Sequence, residues 1–589
     1  MPMSASASHP TPLDRAAARV ALAAIVVGVV LRIWVLTQRG SLGLDEASLA
    51  LNILGRDFGG LTRPLDWGQA APAGFLWLEK GLTTVLGPAE WVLRLWPAMT
   101  GAGTLVVVWI AGRRLVRPCA AALTVTVLAF SLLALRYSAE ANPYASDAFV
   151  AVALVGFALQ VLDEPASLRR WMLLGVAGTI GVLISLPSAF VLAAIGAALV
   201  RDAWRQRAAV RTVAFGTGAV WLATFGILWL LVIQESSGGE YLREYWAPVM
   251  LDRRASDFSA RMIGAVASTV ATPVQWIGSV PLALGLVALW FVGVVLVVRR
   301  DWRIGLLAAG PFAVAALASI AGVYPLADRL AYFAAPLALL VAAEPVGQLI
   351  TGLVAHLKGA VATSALAYAA AILLAAGVGM DGAQIIRAPG SLEPTRALFA
   401  GVKASADSSG AGVYVFARAV PAWAYATTDW ASTNRERVSA FLEAAGSTDS
   451  PGHENFARVG GVTDGEGEGL VTRAEHALRN GRSAFVALEF VGLGTGVRYR
   501  IAGPTSIDGP SLGWAEEEAR RVSMIVDGTF AGTAWVVASH FFEGSSRDEL
   551  RPLVEAIKAK GLQVVEERRG GRDAVALRIV APSAAAHAR

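Results

Sequence analysis

One cysteine, Cys119, stands in 589 residues. An internal disulfide is therefore excluded, and any domain facing an oxidising compartment must be held by its own core. Histidine is scarce as well. None of the six, His9, His356, His453, His476, His540 and His587, falls in the loops that carry the acidic and basic motifs below, which argues against a histidine-ligated zinc site there. Charge is the third shortage: 16% of residues are charged and 55% hydrophobic, with a mean hydropathy of +0.55. Soluble proteins carry about 25% charged residues. The deficit is concentrated before Met380, which excludes a single soluble domain and favours an integral membrane protein with a soluble appendage. A P-loop, a Gly-x-Ser-x-Gly elbow and a Cys-x-x-Cys pair are also missing. His540 follows a strand-like run with no nucleophile beside it, and reads as structural.

What is present begins with apolar runs. A span needs roughly 20 mostly apolar residues, and candidates lie at 20–36, 91–110, 119–135, 148–162, 171–186, 189–200, 213–233, 277–298, 304–323, 330–350 and 360–378. That predicts about eleven crossings. The first run is too long for a signal peptide and lacks a small-residue cleavage site, so it reads as a retained span. The net charge of +5 does not indicate nucleic acid. Its arginines cluster in short loops: Arg113, Arg114 and Arg117; then Arg201, Arg205, Arg207 and Arg211; then Arg299, Arg300 and Arg303. Alternating spans put all three clusters on one side, which the positive-inside rule assigns to the cytoplasm together with the N-terminal tail, 1–19. The membrane domain is 20–380, with a long first outer loop at 38–90.

Past Met380 the texture changes. Strand-like runs at 413–416, 484–489, 534–539, 562–566 and 574–580 interleave with helical patterns at 436–445, 514–524 and 547–560. They predict an extracytoplasmic α/β domain with a partly parallel sheet over 381–582. The glycine- and acid-rich stretch 460–469 reads as an exposed loop, and 583–589 as a disordered tail.

The outer side collects the residues able to do chemistry. Asp45 and Glu46 follow the first span directly, and carboxylates at a membrane surface are costly to keep without a role. Asp45 opens a run in which Ala47, Ala50, Leu51 and Leu54 share one helical face, so the segment reads as an amphipathic helix along the outer surface. The bland reading makes Asp45 an N-cap and Glu46 a first-turn charge. A capped carboxylate is also ionised and held in place, as a general base must be. A second amphipathic segment, 69–86, is opened by Ala71-Pro72, with a turn at Pro64-Leu65-Asp66-Trp67 between the two.

Arg136, Tyr137, Glu140 and Tyr144 lie within three helical turns, ending at Asp147. Arginine suits forked contact with phosphate; the alternative is an interfacial tyrosine belt with a snorkelling arginine. Arg329, after Tyr324-Pro325, falls on the outer side against the usual bias. It needs a partner, for which Asp328, Glu46 and an anionic ligand are the candidates. Glu90 and Arg94 are spaced for a structural (i, i+4) ion pair.

In order and spacing, these segments resemble the GT-C class of membrane glycosyltransferases, and in particular bacterial members of the protein O-mannosyltransferase and aminoarabinose-transferase superfamily. The stretches that carry the resemblance are Leu44-Asp45-Glu46-Ala47, Gln69 with Ala71-Pro72, Glu90 with Arg94, Arg136-Tyr137-Ser138-Ala139-Glu140 with Pro143-Tyr144, and Tyr324-Pro325 with Arg329. They cover about the first 350 residues.

The resemblance implies an inverting transfer of a sugar from a polyprenyl-phosphate donor to an extracytoplasmic acceptor, a lipid, a glycan or a protein. Asp45 then aligns with the catalytic carboxylate, and Glu46 orients its partner or binds sugar hydroxyls. Arg136 and Arg329 hold the donor phosphate. Gln69, Arg94, Glu140, Tyr144 and Tyr324 are substrate-binding positions. The chain departs from the family in two ways. No histidine or extra carboxylate set marks a metal site, so a divalent metal is open but not indicated, and no other cofactor is indicated. The loop domains typical of protein O-mannosyltransferases are replaced by the plain α/β module, so protein O-mannosylation specifically is not supported.

Two other readings fit parts of the pattern. A transporter or flippase of a lipid-linked sugar would use the same outer charges, yet would need polar residues through the bilayer, and this chain has few there. A non-catalytic scaffold with a partner-binding outer domain accounts for the C-terminal module and leaves Asp45, Glu140 and Arg329 unexplained.

Overall fold

The computed structural model describes residues 11–38, 40–63, 65, 69–230, 249–251, 253–274, 280–356, 368–378, 395–409, 412–415, 419–427, 485–491, 498–504, 519, 522–523, 526, 533–539, 546–570 and 574–581. The helix expected at 436–445, the loop at 460–469, the tail at 583–589 and most of the turn at Pro64-Leu65-Asp66-Trp67 lie outside them.

The membrane part consists of helices. They are α1 (Pro12–Gln38), α2 (Leu44–Gly55), α3 (Ala73–Leu86), α4 (Glu90–Leu93), α5 (Leu95–Leu115), α6 (Pro118–Phe130), α7 (Leu132–Tyr137), α8 (Tyr144–Asp163) and α9 (Leu168–Ile184). Then follow α10 (Ser188–Trp204), α11 (Ala208–Leu228), α12 (Phe258–Ala271), α13 (Val280–Arg300), α14 (Trp302–Ile320), α15 (Asp328–Ala331), α16 (Ala335–His356) and α17 (Tyr368–Val378). Every expected apolar run contains a helix. Among the described residues, 7 helices are long and apolar enough to cross a membrane: Pro12–Gln38, Glu90–Leu115, Tyr144–Asp163, Ala208–Leu228, Ala283–Arg300, Trp302–Ile320 and Arg329–Ala355.

One expected span, 119–135, is interrupted. Its helix stops at Phe130, and Ser131 restarts the chain by accepting a hydrogen bond from the Ala134 N–H on its hydroxyl. A serine hydroxyl offers the backbone an alternative to the helical ladder. The break begins α7 as a separate helix, which carries Arg136 and Tyr137.

Helix direction sorts the charges by end. Arg114 near the end of α5 pairs with Asp163 at the end of α8, and Arg303 at the start of α14 pairs with Asp202 near the end of α10 at 3.1 Å. These pairs lie at the end of the bundle opposite to Asp45, Arg94 and Tyr144, as the alternation of spans predicts.

At the Asp45 end, α2 departs from the expected surface-lying helix. Its apolar residues Ala47, Ala50, Leu51 and Ile53 are buried in a cluster with Leu398, Phe399 and Val402 of α18 (Thr395–Ser409) and Trp423 and Tyr425 of α19 (Val420–Thr427). A single apolar stripe on a short helix is satisfied by protein as well as by lipid. Here the start of the C-terminal domain supplies that cover. Polar contacts tie the same layer down: Arg396 Nη1 reaches both Glu90 carboxylate oxygens at 2.6 Å, and the Tyr425 hydroxyl donates to the Pro88 carbonyl at 2.8 Å.

The domain's sheet is built from β1 (Gly412–Val415), β2 (Phe485–Val491), β3 (Arg498–Pro504), β4 (Thr533–Ser539), β5 (Gln563–Arg569) and β6 (Ala574–Val580), ordered β2-β3-β1-β4-β6-β5. β1 runs parallel to both β3 and β4, and the remaining pairs are antiparallel. β3 is absent from the expected strands: Arg-Tyr-Arg-Ile-Ala-Gly-Pro has no apolar run, and its place in the sheet comes from pairing on both sides. The helix α20 (Ser546–Ala559) matches the pattern expected at 547–560 within a residue.

Candidate active site

Asp45 sits in the first turn of α2. Gly43 is the N-cap, and its N–H donates to Glu46 Oε2 at 3.0 Å. The capping role expected of Asp45 thus falls to Glu46. Asp45 keeps the positive end of the helix dipole, which favours its charge, and its side chain stays partly exposed. Its Oδ2 accepts from Arg329 Nη1. Arg329 arrives on α15 and meets Asp45, a carboxylate other than the expected candidates.

Aromatic rings flank the pair. The Arg329 guanidinium lies 5.9 Å from the Tyr144 ring centroid, within cation–π range. Tyr144 packs on Tyr137 at 5.1 Å, and Tyr137 on Tyr332 at 4.8 Å. Tyr324 donates its hydroxyl to the Leu330 carbonyl at 2.8 Å, next to Arg329, and sets its ring edge-on to Phe190 at 4.8 Å. Burial holds the Tyr137 and Tyr324 phenols above their ordinary range, so both rings serve as neutral walls.

The second outer segment contributes an ion pair of its own. Arg136 Nε donates to Glu140 Oε1 at 2.6 Å across one helical turn. The arginine is 51% exposed and its partner 8%. A charge-assisted bond to an enclosed carboxylate fixes the direction of an otherwise mobile side chain.

Glu46 and Arg94 stand apart from this mouth in character. Arg94 Nε and Nη2 fork onto Glu46 Oε1 and Oε2 at 2.8 and 3.0 Å, with side-chain exposures of 0% and 4%. Arg94 also donates to the Gly40 and Ser41 carbonyls at 2.7 and 2.8 Å. Glu46 Oε1 accepts from the Ala141 N–H at 2.8 Å. Both oxygens of Glu46 are therefore taken, which fills a carboxylate's capacity. This geometry suits Glu46 and Arg94 to holding the surrounding segments together. The two join the end of α1, α2, the α4–α5 junction and the second outer segment at one point. The Glu90–Arg94 pairing expected from spacing gives way to two longer-range pairs, Glu90 with Arg396 and Arg94 with Glu46. Gln69 lies partly exposed in the stretch leading to α3.

Asp147, in the first turn of α8, belongs to this neighbourhood and was marked in the sequence only as a segment end. It is buried, and among the described residues its Oδ1 has no hydrogen-bond partner. Its charge acts on Tyr144 and Tyr324. A carboxyl in the first turn of an apolar helix is the sequence signal that marks it. Among the described residues, no three of His, Cys, Asp and Glu are gathered as a metal ion would require.

Residues 70–229 match the family model described as dolichyl-phosphate-mannose-protein mannosyltransferase. That stretch takes in Arg94, Arg136, Glu140 and Tyr144. No curated relative matches the chain. Similar solved structures include ArnT from Cupriavidus metallidurans in the apo state, 14% identical with a TM-score of 0.49, covering 95% of this chain and 97% of that one. ArnT from the same organism bound to undecaprenyl phosphate is 15% identical, with a TM-score of 0.48 over 95% and 97%. The Archaeoglobus fulgidus oligosaccharyltransferase complex with Zn and sulfate is 14% identical, with a TM-score of 0.45 over 69% of this chain and 61% of that one. These likenesses are distant. The family match covers residues 70–229, and over that stretch the membrane part is similar to polyprenyl-phosphate-type membrane mannosyltransferases.

Proposed function

We propose that the protein transfers a sugar from a polyprenyl-phosphate donor to an acceptor hydroxyl, with inversion at the anomeric carbon, on the extracytoplasmic face of a cell membrane. The observation that carries this reading is the Asp45–Arg329 pair, partly exposed at the head of α2 and walled by Tyr144. It joins a carboxylate suited to a base with a guanidinium suited to a phosphate.

The pair also supplies an order of events. While Arg329 donates to Asp45, that carboxylate oxygen is not free to accept a proton. A donor phosphate competes for the guanidinium, because a forked arginine–phosphate contact is strong. Arg329 then moves to the phosphate and releases Asp45. Asp45 takes the acceptor's hydroxyl proton as the oxygen bonds to the anomeric carbon. The bond from that carbon to the phosphate oxygen breaks, and its electron pair leaves with polyprenyl phosphate. Arg329 meets the charge that grows on the leaving group, so its contact is stronger in the transition state than in the ground state.

Arg136, oriented by Glu140, is the second cation for the phosphate. Tyr144 and Tyr324 shape the pocket, with Gln69 at its approach. Glu46 and Arg94 hold α2 so that Asp45 faces the mouth.

The test uses purified full-length wild type and Asp45→Asn with a panel of polyprenyl-phosphate sugars and mixed acceptors. Release of polyprenyl phosphate that requires Asp45 supports the transferase. Binding with no release in any acceptor mixture would favour a transporter or a partner-binding protein.

A further inference from the structure

Arg32 lies inside the first membrane helix, six residues before its end and so about 9 Å along the helix axis from that end. Its neighbours Val30 and Ile33 face outward on an apolar surface, while Arg32 itself is 3% exposed. The hydrogen-bond partners of the guanidinium are neutral. Nε donates to Ser138 Oγ at 3.1 Å, Nη1 to the Gly28 carbonyl at 3.0 Å, and Nη2 to the Leu128 carbonyl at 3.0 Å. Among the described residues no carboxylate forms an ion pair with it.

An arginine buried in a span without a counterion is costly, and such charges persist where a ligand or a pathway needs them. The surroundings are built to keep this one in place. Gly101 of α5 leaves the necessary room: a β-carbon there would stand 2.1 Å from Ser138 Oγ and 3.4 Å from Arg32 Nε. The Leu128 carbonyl is close to the break between α6 and α7. The site is also connected to the mouth described above. Tyr332 lies within electrostatic reach of the guanidinium, Tyr332 touches Tyr137, Tyr137 touches Tyr144, and Arg329 sits over Tyr144. Three tyrosine rings, those of Tyr332, Tyr137 and Tyr144, separate the two cations.

We propose that Arg32 is a positioning residue for the donor: a fixed positive charge beneath the tyrosine wall whose counterion is the lipid's phosphate. This rests on the polyprenyl-phosphate reading above. The charge acts through low-dielectric protein without touching the ligand, where screening by salt is weak. Its effect is on anionic lipid and not on the same lipid without phosphate. Arg32 also ties α1 to α6 and α7, so a neutral variant must be read beside one that keeps the charge and loses the fork.

The experiment compares full-length wild type, Arg32→Gln and Arg32→Lys in lipid nanodiscs, titrated with undecaprenyl phosphate and, separately, with uncharged undecaprenol. The expected result is a loss of about tenfold or more in undecaprenyl phosphate affinity for Arg32→Gln. Undecaprenol binding stays unchanged in all three, and Arg32→Lys recovers most of the phosphate affinity. Equal losses in Arg32→Gln and Arg32→Lys, or a parallel loss of undecaprenol, would mean that Arg32 only packs the helices, and would overturn the proposal. So would undiminished phosphate binding by Arg32→Gln. If wild type itself does not prefer the phosphate over the alcohol, the donor reading fails first and the role of Arg32 falls with it.

Discussion

Asp45 and Arg329 are 284 positions apart in the chain, yet the arginine's Nη1 donates directly to the carboxylate at the head of α2. In the proposed mechanism, the base and the phosphate-binding group occupy each other until an anion separates them. The same contact connects the first loop to the segment after α14.

Asp45→Asn keeps the shape and the helix position of the side chain and removes its ability to take a proton. Transfer is expected to fall by about 10² to 10⁴, with unchanged thermal unfolding and retained donor binding. Release of radiolabelled polyprenyl phosphate measures it. Activity within a few-fold of wild type would remove Asp45 from the role of base.

Arg329 is expected to act mainly on the donor side. Arg329→Gln should lower kcat/KM by about 10² or more, comparable with losing one donor to a developing anion. Arg329→Lys should recover part of this, since it keeps a point charge without the fork. Raising the salt concentration should weaken donor binding in wild type more than in Arg329→Gln.

Glu46 and Arg94 are both enclosed, so removing one partner leaves the other as an uncompensated buried charge. Glu46→Gln and Arg94→Met should each destabilise by about 3–5 kcal/mol. The double variant should lose less than the sum of the two. Thermal unfolding of detergent-solubilised protein completes the cycle. Additive losses would show that the two side chains are not coupled.

Glu79 on α3 is enclosed as well, and among the described residues neither carboxylate oxygen has a partner. Burial raises its pKa well above the ordinary 4.5. The folded chain then holds a proton that the unfolded chain gives up between those two values. Its contribution to stability is complete below pH 4.5, declines as pH rises through the window, and is lost above the raised value. Glu79→Gln stays neutral throughout. The melting temperature of wild type should fall relative to that of the variant as pH rises. Parallel profiles would show that Glu79 is not protonated in the folded protein.

The apolar runs mark where the membrane helices lie because hydrophobicity is additive along a local window, but not how many cross: about eleven runs give 7 helices long and apolar enough to span among the described residues. The ends of the bundle follow from the same alternation. Five of the six strands are legible for that reason too, while β3 is not, since its residues make no apolar run and its neighbours in the sheet impose the extended form. Asp45, Arg136, Glu140, Tyr144, Tyr324 and Arg329 stand out as charged or aromatic residues at span ends.

Their partners do not follow from spacing. Glu90 and Arg94 have the ideal helical separation, yet a helix boundary falls at Arg94, whose guanidinium meets Glu46 from 48 positions away. The structure likewise separates two adjacent acids by burial: Glu46 is filled by donors from distant segments, and Asp45 faces the mouth. Arg32 could be read in the sequence as one polar residue in an apolar span. That no carboxylate among the described residues pairs with it is a property of the packed protein, because whether a charge is compensated depends on which helices come to rest against it.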